Sequence, residues 1–225
     1  MPRRHHSLAA IVLASTIAAT AALTGCGASV MVHRPTDHVV DHAITGLWVD
    51  ELVRTAQDGD WLLSRSYSGQ GDAVVVLTGG EELSHAAMID VTHRTVIESI
   101  GSGVREIPLA QFVDRNRHLI AVRPSGGEVE GRLAVARARS KIGLPFDIGG
   151  MAGLGSDSRF YCSELVYWAS GLQEQDPYRE IVITPGELLK YGAVVYWSGK
   201  RDDPQVQRIA AGWAVAHAPP RVAAR

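Results

Sequence analysis

Between residues 85 and 107, apolar and β-branched positions come in short runs, broken at regular intervals by turn formers. Residues 85–91 and 94–99 flank Thr92-His93, and residues 104–107 follow Gly101-Ser102-Gly103, which predicts an antiparallel meander. Further strands are predicted at Trp61-Leu62-Leu63, after the turn Asp58-Gly59-Asp60, over 118–122 and at Val194-Val195-Tyr196-Trp197. Helical spacing is found over 44–56, where Ile44, Leu47, Trp48 and Leu52 share a face. It recurs over 128–142, with Val129, Leu133, Ala136 and Ile142 expected inward and Gly143 ending the helix. Pro108 opens a short helix to 115, and Thr184-Pro185-Gly186-Glu187 opens another. Residues 73–77 are ambiguous, since their β-branched run favours a strand while the following glycine pair suits a helix end. A glycine-rich loop over 143–158 leads into a helix in which Cys162 shares the apolar face with Leu165, Val166 and Ala169, with Asp157 or Ser158 as its N-cap. From Arg201 the chain is rich in Ala, Arg and Pro and is expected to be a tail, frayed beyond Trp213.

Composition adds the compartment. The 225 residues, 46% hydrophobic and 20% charged, are enough for one domain with a real core, and a net charge of −2 without a basic patch excludes nucleic acid as a partner. Arg3 and Arg4 precede an apolar run from Leu8 to Leu23, too short for a comfortable membrane span. The run ends in Leu23-Thr24-Gly25-Cys26, which resembles the lipobox of bacterial lipoproteins. The resemblance implies cleavage before Cys26 and acylation of that residue. The protein would then be exported and lipid-anchored at a bacterial membrane, facing the periplasm or cell wall. The alternative is an ordinary secretory peptide with an incidental cysteine. The expected organisation is therefore a signal peptide over 1–25, a lipidated tether over 26–43, a folded domain over 44–200 and a partly disordered tail over 201–225. His33, His38 and His42 in the tether have no Cys or carboxylate cage around them, so no metal site is expected there, nor any cofactor.

Two cysteines are present, and lipid on Cys26 leaves Cys162 without a disulfide partner. An unpaired thiol in an exported chain is either reactive or hidden. In the first turn of a helix it meets unpaired N–H groups and the positive end of the dipole, which favour a thiolate. Among the histidines, His93 is a turn residue, His118 begins a strand at a corner and His217 lies in the tail, so each is expected to be solvated. His85 opens a strand beside Ser84, Ala86 and Ala87, which leaves room for approach. If Thr92-His93 is a two-residue turn, Val91 pairs with Arg94 and His85 falls opposite Ile100. Glu98 then lies on the diagonal from His85, within reach of a long side chain. A carboxylate between Ile97 and Ile100 needs such a task.

Gly59-Asp60, Ser84-His85-Ala86, Val96-Ile97-Glu98, Gly143-Leu144-Pro145-Phe146-Asp147 and Phe160-Tyr161-Cys162-Ser163-Glu164-Leu165 occur in that order. Over about residues 45–198 the chain resembles the circularly permuted branch of the NlpC-type papain-like superfamily, the YiiX/YaeF-like proteins, in which histidine precedes cysteine. The resemblance implies an α+β fold, an antiparallel sheet packed against the cysteine-bearing helix, and a helix rather than a strand over 71–79. It also implies a triad of Cys162 as nucleophile, His85 as base and then acid, and Glu98 orienting the imidazole. The Cys162 N–H is expected to serve the oxyanion, and Tyr161 either to line that site or to pack. Phe146 stands where relatives often carry Tyr, so a hydroxyl role there is lost. Glu164 reads as a capping or helix-surface residue, and Asp60 and Asp147 as turn formers. Three functions remain open. The first is a membrane-anchored cysteine hydrolase cleaving an amide, in a peptidoglycan stem or a lipid-like amide or ester. The others are a non-catalytic lipid- or peptide-binding module and a lipid acyltransferase. Whether 149–155 forms a lid is left open by the sequence.

Overall fold

The computed structural model describes residues 32–78, 81–156, 158–175 and 182–218; Cys26 and the leader expected over 1–25 lie outside them. The elements in chain order are α1 (His38–Thr55), β1 (Trp61–Ser66), α2 (Gly69–Leu77), β2 (His85–Asp90), β3 (Thr95–Ile100), β4 (Gly103–Pro108), α3 (Leu109–Asp114), β5 (Asn116–Pro124), α4 (Gly127–Arg139), α5 (Cys162–Ala169), α6 (Leu172–Gln175), β6 (Gly192–Trp197) and α7 (Pro204–Ala216). Short 3₁₀ turns lie at Gly150–Ala152 and Glu187–Tyr191. The strands form one antiparallel sheet in the order β4-β3-β2-β1-β5-β6. This is the expected α+β fold.

Both faces of the sheet are covered, so the central strand β2 is buried at all six positions. Ala86 and Met88 share one core with Trp61 and Leu63 of β1, Val135 and Ala138 of α4, and Leu165 and Val166 of α5. Ala87 and Ile89, alternating with them, join a second core with Trp48 and Leu52 of α1, Phe112 of α3 and Val206 of α7. Among the described residues no helix is long and apolar enough to cross a membrane.

Four expectations are corrected. First, α1 begins within the residues assigned to the tether. Asp37 caps it by accepting from the N–H groups of Val39 and Val40 at 3.0 and 3.1 Å, so the ordered domain starts before residue 44. Second, the stretch from 201 to 216 is no tail. Arg201 is fully buried, and α7, capped by Asp203 with Pro204 at its first position, packs along α1. Trp213 lies so close to Gly46 that a Cβ there would stand 2.3 Å from its ring. Third, α4 is turned from the face that hydrophobicity selects. Gly131, Ala134, Val135 and Ala138 are buried, while Val129, Leu133, Ala136 and Ile142 are exposed. The cause is close approach: a Cβ on Gly131 would lie 2.1 Å from the Asp58 carbonyl oxygen. Small residues therefore line the contact and the larger apolar ones are left outside. Gly59, with φ of +89°, makes the turn that meets Gly131. Fourth, the cap of α5 is Tyr161, not Asp157 or Ser158. Residues 69–77, by contrast, are helical as the resemblance implied. Ser68 accepts from Gly71 N–H at 3.1 Å, and that cap overrides the local β-branched preference.

Candidate active site

Cys162 is the first residue of α5. The chain reaches it in extended form: Phe160 bridges Phe146 in parallel, with Phe160 N–H on the Pro145 carbonyl and Asp147 N–H on the Phe160 carbonyl. Ser99 of β3 donates to the same Phe160 carbonyl at 2.6 Å and so fixes the chain two residues before the cysteine. Asp147 closes the 147–156 loop by accepting from Gly150 N–H at 2.8 Å and Ser156 N–H at 3.1 Å, the turn-forming role expected of it. Asp60 likewise accepts from Gln57 N–H at 2.9 Å and pairs with Arg123. Inside the helix Glu164 reaches back to accept from Tyr161 N–H at 3.3 Å, half of a capping box. Tyr161 itself packs in the core, where its hydroxyl accepts from Ile183 N–H at 3.0 Å, while Ser163 donates to the Ile183 carbonyl at 2.7 Å. Of the two roles expected for Tyr161, the geometry gives it the packing one.

The hairpin has the register read from the sequence. Arg94 N–H bonds the Val91 carbonyl around Thr92-His93, and Ala87 pairs with Glu98, so Glu98 lies diagonally from His85. Nε2 of His85 lies 2.7 Å from Oε2 of Glu98. Nδ1 is then the nitrogen left for the thiol, whose interaction with the ring raises the imidazole pKa. The Phe112 ring covers the imidazole at 6.0 Å between centroids. The structure thus brings together His85, Glu98 and Cys162, all buried.

Their electrostatics agree with one another. Burial pulls the His85 pKa down, but hydrogen bonds to Cys162 and Glu98 overcome it and raise it to about 9. Burial opposes the Glu98 charge, yet His85 and Arg115 hold its pKa at about 2. Burial pushes the Cys162 thiol up, and the His85 imidazolium and Ala86 N–H bring it below its ordinary value. Each of the three shifts favours the charged form: thiolate, imidazolium and carboxylate.

The other histidines are not part of this group. His93 pairs with Asp90 at 2.8 Å and is largely exposed, and His217 stacks on Trp213 at 4.3 Å. His118 corrects the expectation of a solvated corner. It is buried on β5 opposite Arg65, and burial depresses its pKa to about 4. Folding therefore keeps it neutral. That contributes stability above its unfolded pKa of about 6.5, lost as pH falls from there towards 4, about 3 kcal/mol in all. His118→Gln should flatten the fall in thermal midpoint between pH 5.5 and 4.5, a range in which His85, with a pKa of about 9 folded and about 6.5 unfolded, is protonated in both states and adds almost no slope. An unchanged slope would assign the acid sensitivity elsewhere.

Sequence reasoning missed Ser99 and the two arginines on Glu98. Arg105 was legible, because a two-residue turn at Gly101-Ser102 sets it opposite Glu98, as observed. Arg115 arrives from the end of α3 and has no short-range signal.

A family model described as permuted papain-like amidase enzyme, YaeF/YiiX, C92 family, matches residues 55–175, a span that holds all three site residues. No curated protein matches the chain. With more than half of its length matched, histidine ahead of cysteine, and a thiol set at a helix N-terminus against a buried imidazole, the chain belongs to the permuted papain-like amidases, a family of cysteine hydrolases.

Proposed function

We propose that the amidase chemistry of the family is carried here by Cys162, His85 and Glu98, acting on an amide in the cell envelope. The observation that supports this most directly is His85 held between a buried carboxylate at 2.7 Å and the thiol at the start of α5. The Cys162 thiolate attacks the substrate carbonyl carbon and forms the C–S bond. The resulting oxyanion meets the Cys162 N–H, left unpaired at the helix start and aligned with its dipole. His85 Nδ1–H protonates the leaving nitrogen as the C–N bond breaks, giving a thioester on Cys162. Neutral His85 then takes a proton from water, hydroxide adds to the thioester carbonyl, and the thiolate leaves with the acid as product. Glu98 stabilises the imidazolium and fixes its tautomer throughout.

Lipid on Cys26 would keep this domain at a bacterial membrane, where peptidoglycan stems and lipid-like amides or esters are within reach. Intact-mass measurement on the full chain incubated with stem peptides and with acyl amides tests the reading. A transient acyl adduct on Cys162 with release of free acid is expected, absent in Cys162→Ala. Acyl appearing on an added amine or lysolipid instead of water would reassign the protein as an acyltransferase. Ligand retention with no adduct would make it a binding module. Cys26→Ser should move the protein from detergent to the aqueous phase, and unchanged partition would remove the lipid anchor.

A further inference from the structure

Glu98 is fully buried, and it holds more cations than one histidine requires. Its Oε2 accepts from His85 Nε2 and from Arg115, and its Oε1 accepts from Arg105 Nε at 2.9 Å. Arg105 stands directly opposite Glu98 across the β3–β4 pair, and Arg115 follows the last residue of α3. These are the charged groups that β2, β4 and α3 turn onto the carboxylate, while α5 brings the thiol to the far side of the imidazole. The Arg115 guanidinium also lies 5.1 Å over the Phe112 ring, the same ring that covers His85.

The reaction explains why one imidazolium is not enough. Once His85 has passed its proton to a leaving group, it is neutral. A buried carboxylate facing only a neutral ring would take up a proton itself. As a neutral acid it would no longer stabilise the imidazolium that must re-form in the second half of the cycle. Arginine keeps its charge at every working pH, and a planar guanidinium fixes the oxygens it binds. We propose that Arg105 and Arg115 are positioning residues that keep Glu98 ionised while His85 is neutral, and that hold Oε2 on Nε2 so that Nδ1 stays on the thiol. The proposal rests on the triad reading above.

The test is the pH dependence of Cys162 alkylation in the full chain, in a Cys26→Ser background so that one thiol reports. Arg115→Met should raise the acid-side midpoint by about one pH unit, and Arg105→Met should move it in the same direction. Arg115→Lys should return most of the Arg115→Met shift. A merely structural role would lower the thermal midpoint and leave the titration where it was. If both Met variants titrate as wild type while Glu98→Gln moves the midpoint, the arginine proposal is overturned and the triad stands. If Glu98→Gln and His85→Ala also change nothing, the triad reading fails and takes the proposal with it. Should Arg115→Met not fold, Arg105→Met and Arg115→Lys still decide, because the Arg105 side chain is more than a third exposed.

Discussion

Replacing His85 with alanine is expected to raise the alkylation midpoint of Cys162, which the native site holds below its ordinary value, and to lower kcat on an amide by about 10²–10⁴-fold. The sign follows from what remains around the thiol. Burial favours the neutral form and is the largest single influence on Cys162; the hydrogen bond and positive charge of His85 oppose it. With the imidazole gone, the helix start and the Ala86 N–H act alone against burial. The variant should still fold, because Glu98 keeps Arg105 and Arg115 as partners and is not stranded in the sheet. Alkylation by a neutral reagent, followed by mass across the pH range, reads the thiolate directly. A midpoint indifferent to His85 would end the triad reading, and the protein would then be a papain-like fold that binds without turnover.

Loss of Arg201 should produce the largest stability effect in the molecule. Its fully buried guanidinium donates to the carbonyls of Asn116, Asp41 and Val113, to the Asp41 carboxylate and to Thr45, and it lies 4.7 Å over the Trp48 ring. Arg201→Met would leave an almost fully buried carboxylate with only the half-exposed Arg34 as cation, and would take a donor from the carbonyls of Asn116, Asp41 and Val113. Removing one member of a buried pair destabilises by about 3–5 kcal/mol, which for a domain of this size is a fall of roughly 10 °C in thermal midpoint. Denaturant unfolding measures it. A loss below about 1 kcal/mol would mean that water or Arg34 takes over, and that the clamp between α1 and the 201 segment is dispensable.

The contrast between these two sites shows what a sequence carries. His85 and Glu98 are 13 residues apart on one hairpin, so turn length and strand period were enough to set their diagonal. Cys162 was found by its helix position and its lack of a partner cysteine. Arg201 pairs with Asp41 across 160 residues, and nothing local in a segment of Ala, Arg and Pro announces a buried cation. The α4 face failed for a related reason. Hydrophobic spacing selects large side chains, whereas the close pass of Gly131 over the Asp58-Gly59 turn rewards small ones. His118 was read from its position at a strand start, but β1 on one side and the 198–201 segment on the other flank it, and it is buried. Local geometry was legible; long-range burial was not.

The pairing of the first and last helices also bears on chain order. Arg201 lies by Asp41, Trp213 by Gly46 and Asp50, and His217 by Asp50, so α7 runs alongside α1 in the same direction. Its end therefore stands about three helical turns, or roughly 18 Å, from the start of α1, the length of the twelve helical residues between His38 and Asp50. A linker of about ten residues spans that gap with room to spare. Joining the ends there and reopening the chain in the exposed loop before α5 would place cysteine ahead of histidine while every strand kept its neighbours. In this architecture the order of nucleophile and base is set by where the chain is cut, and the chemistry is indifferent to it.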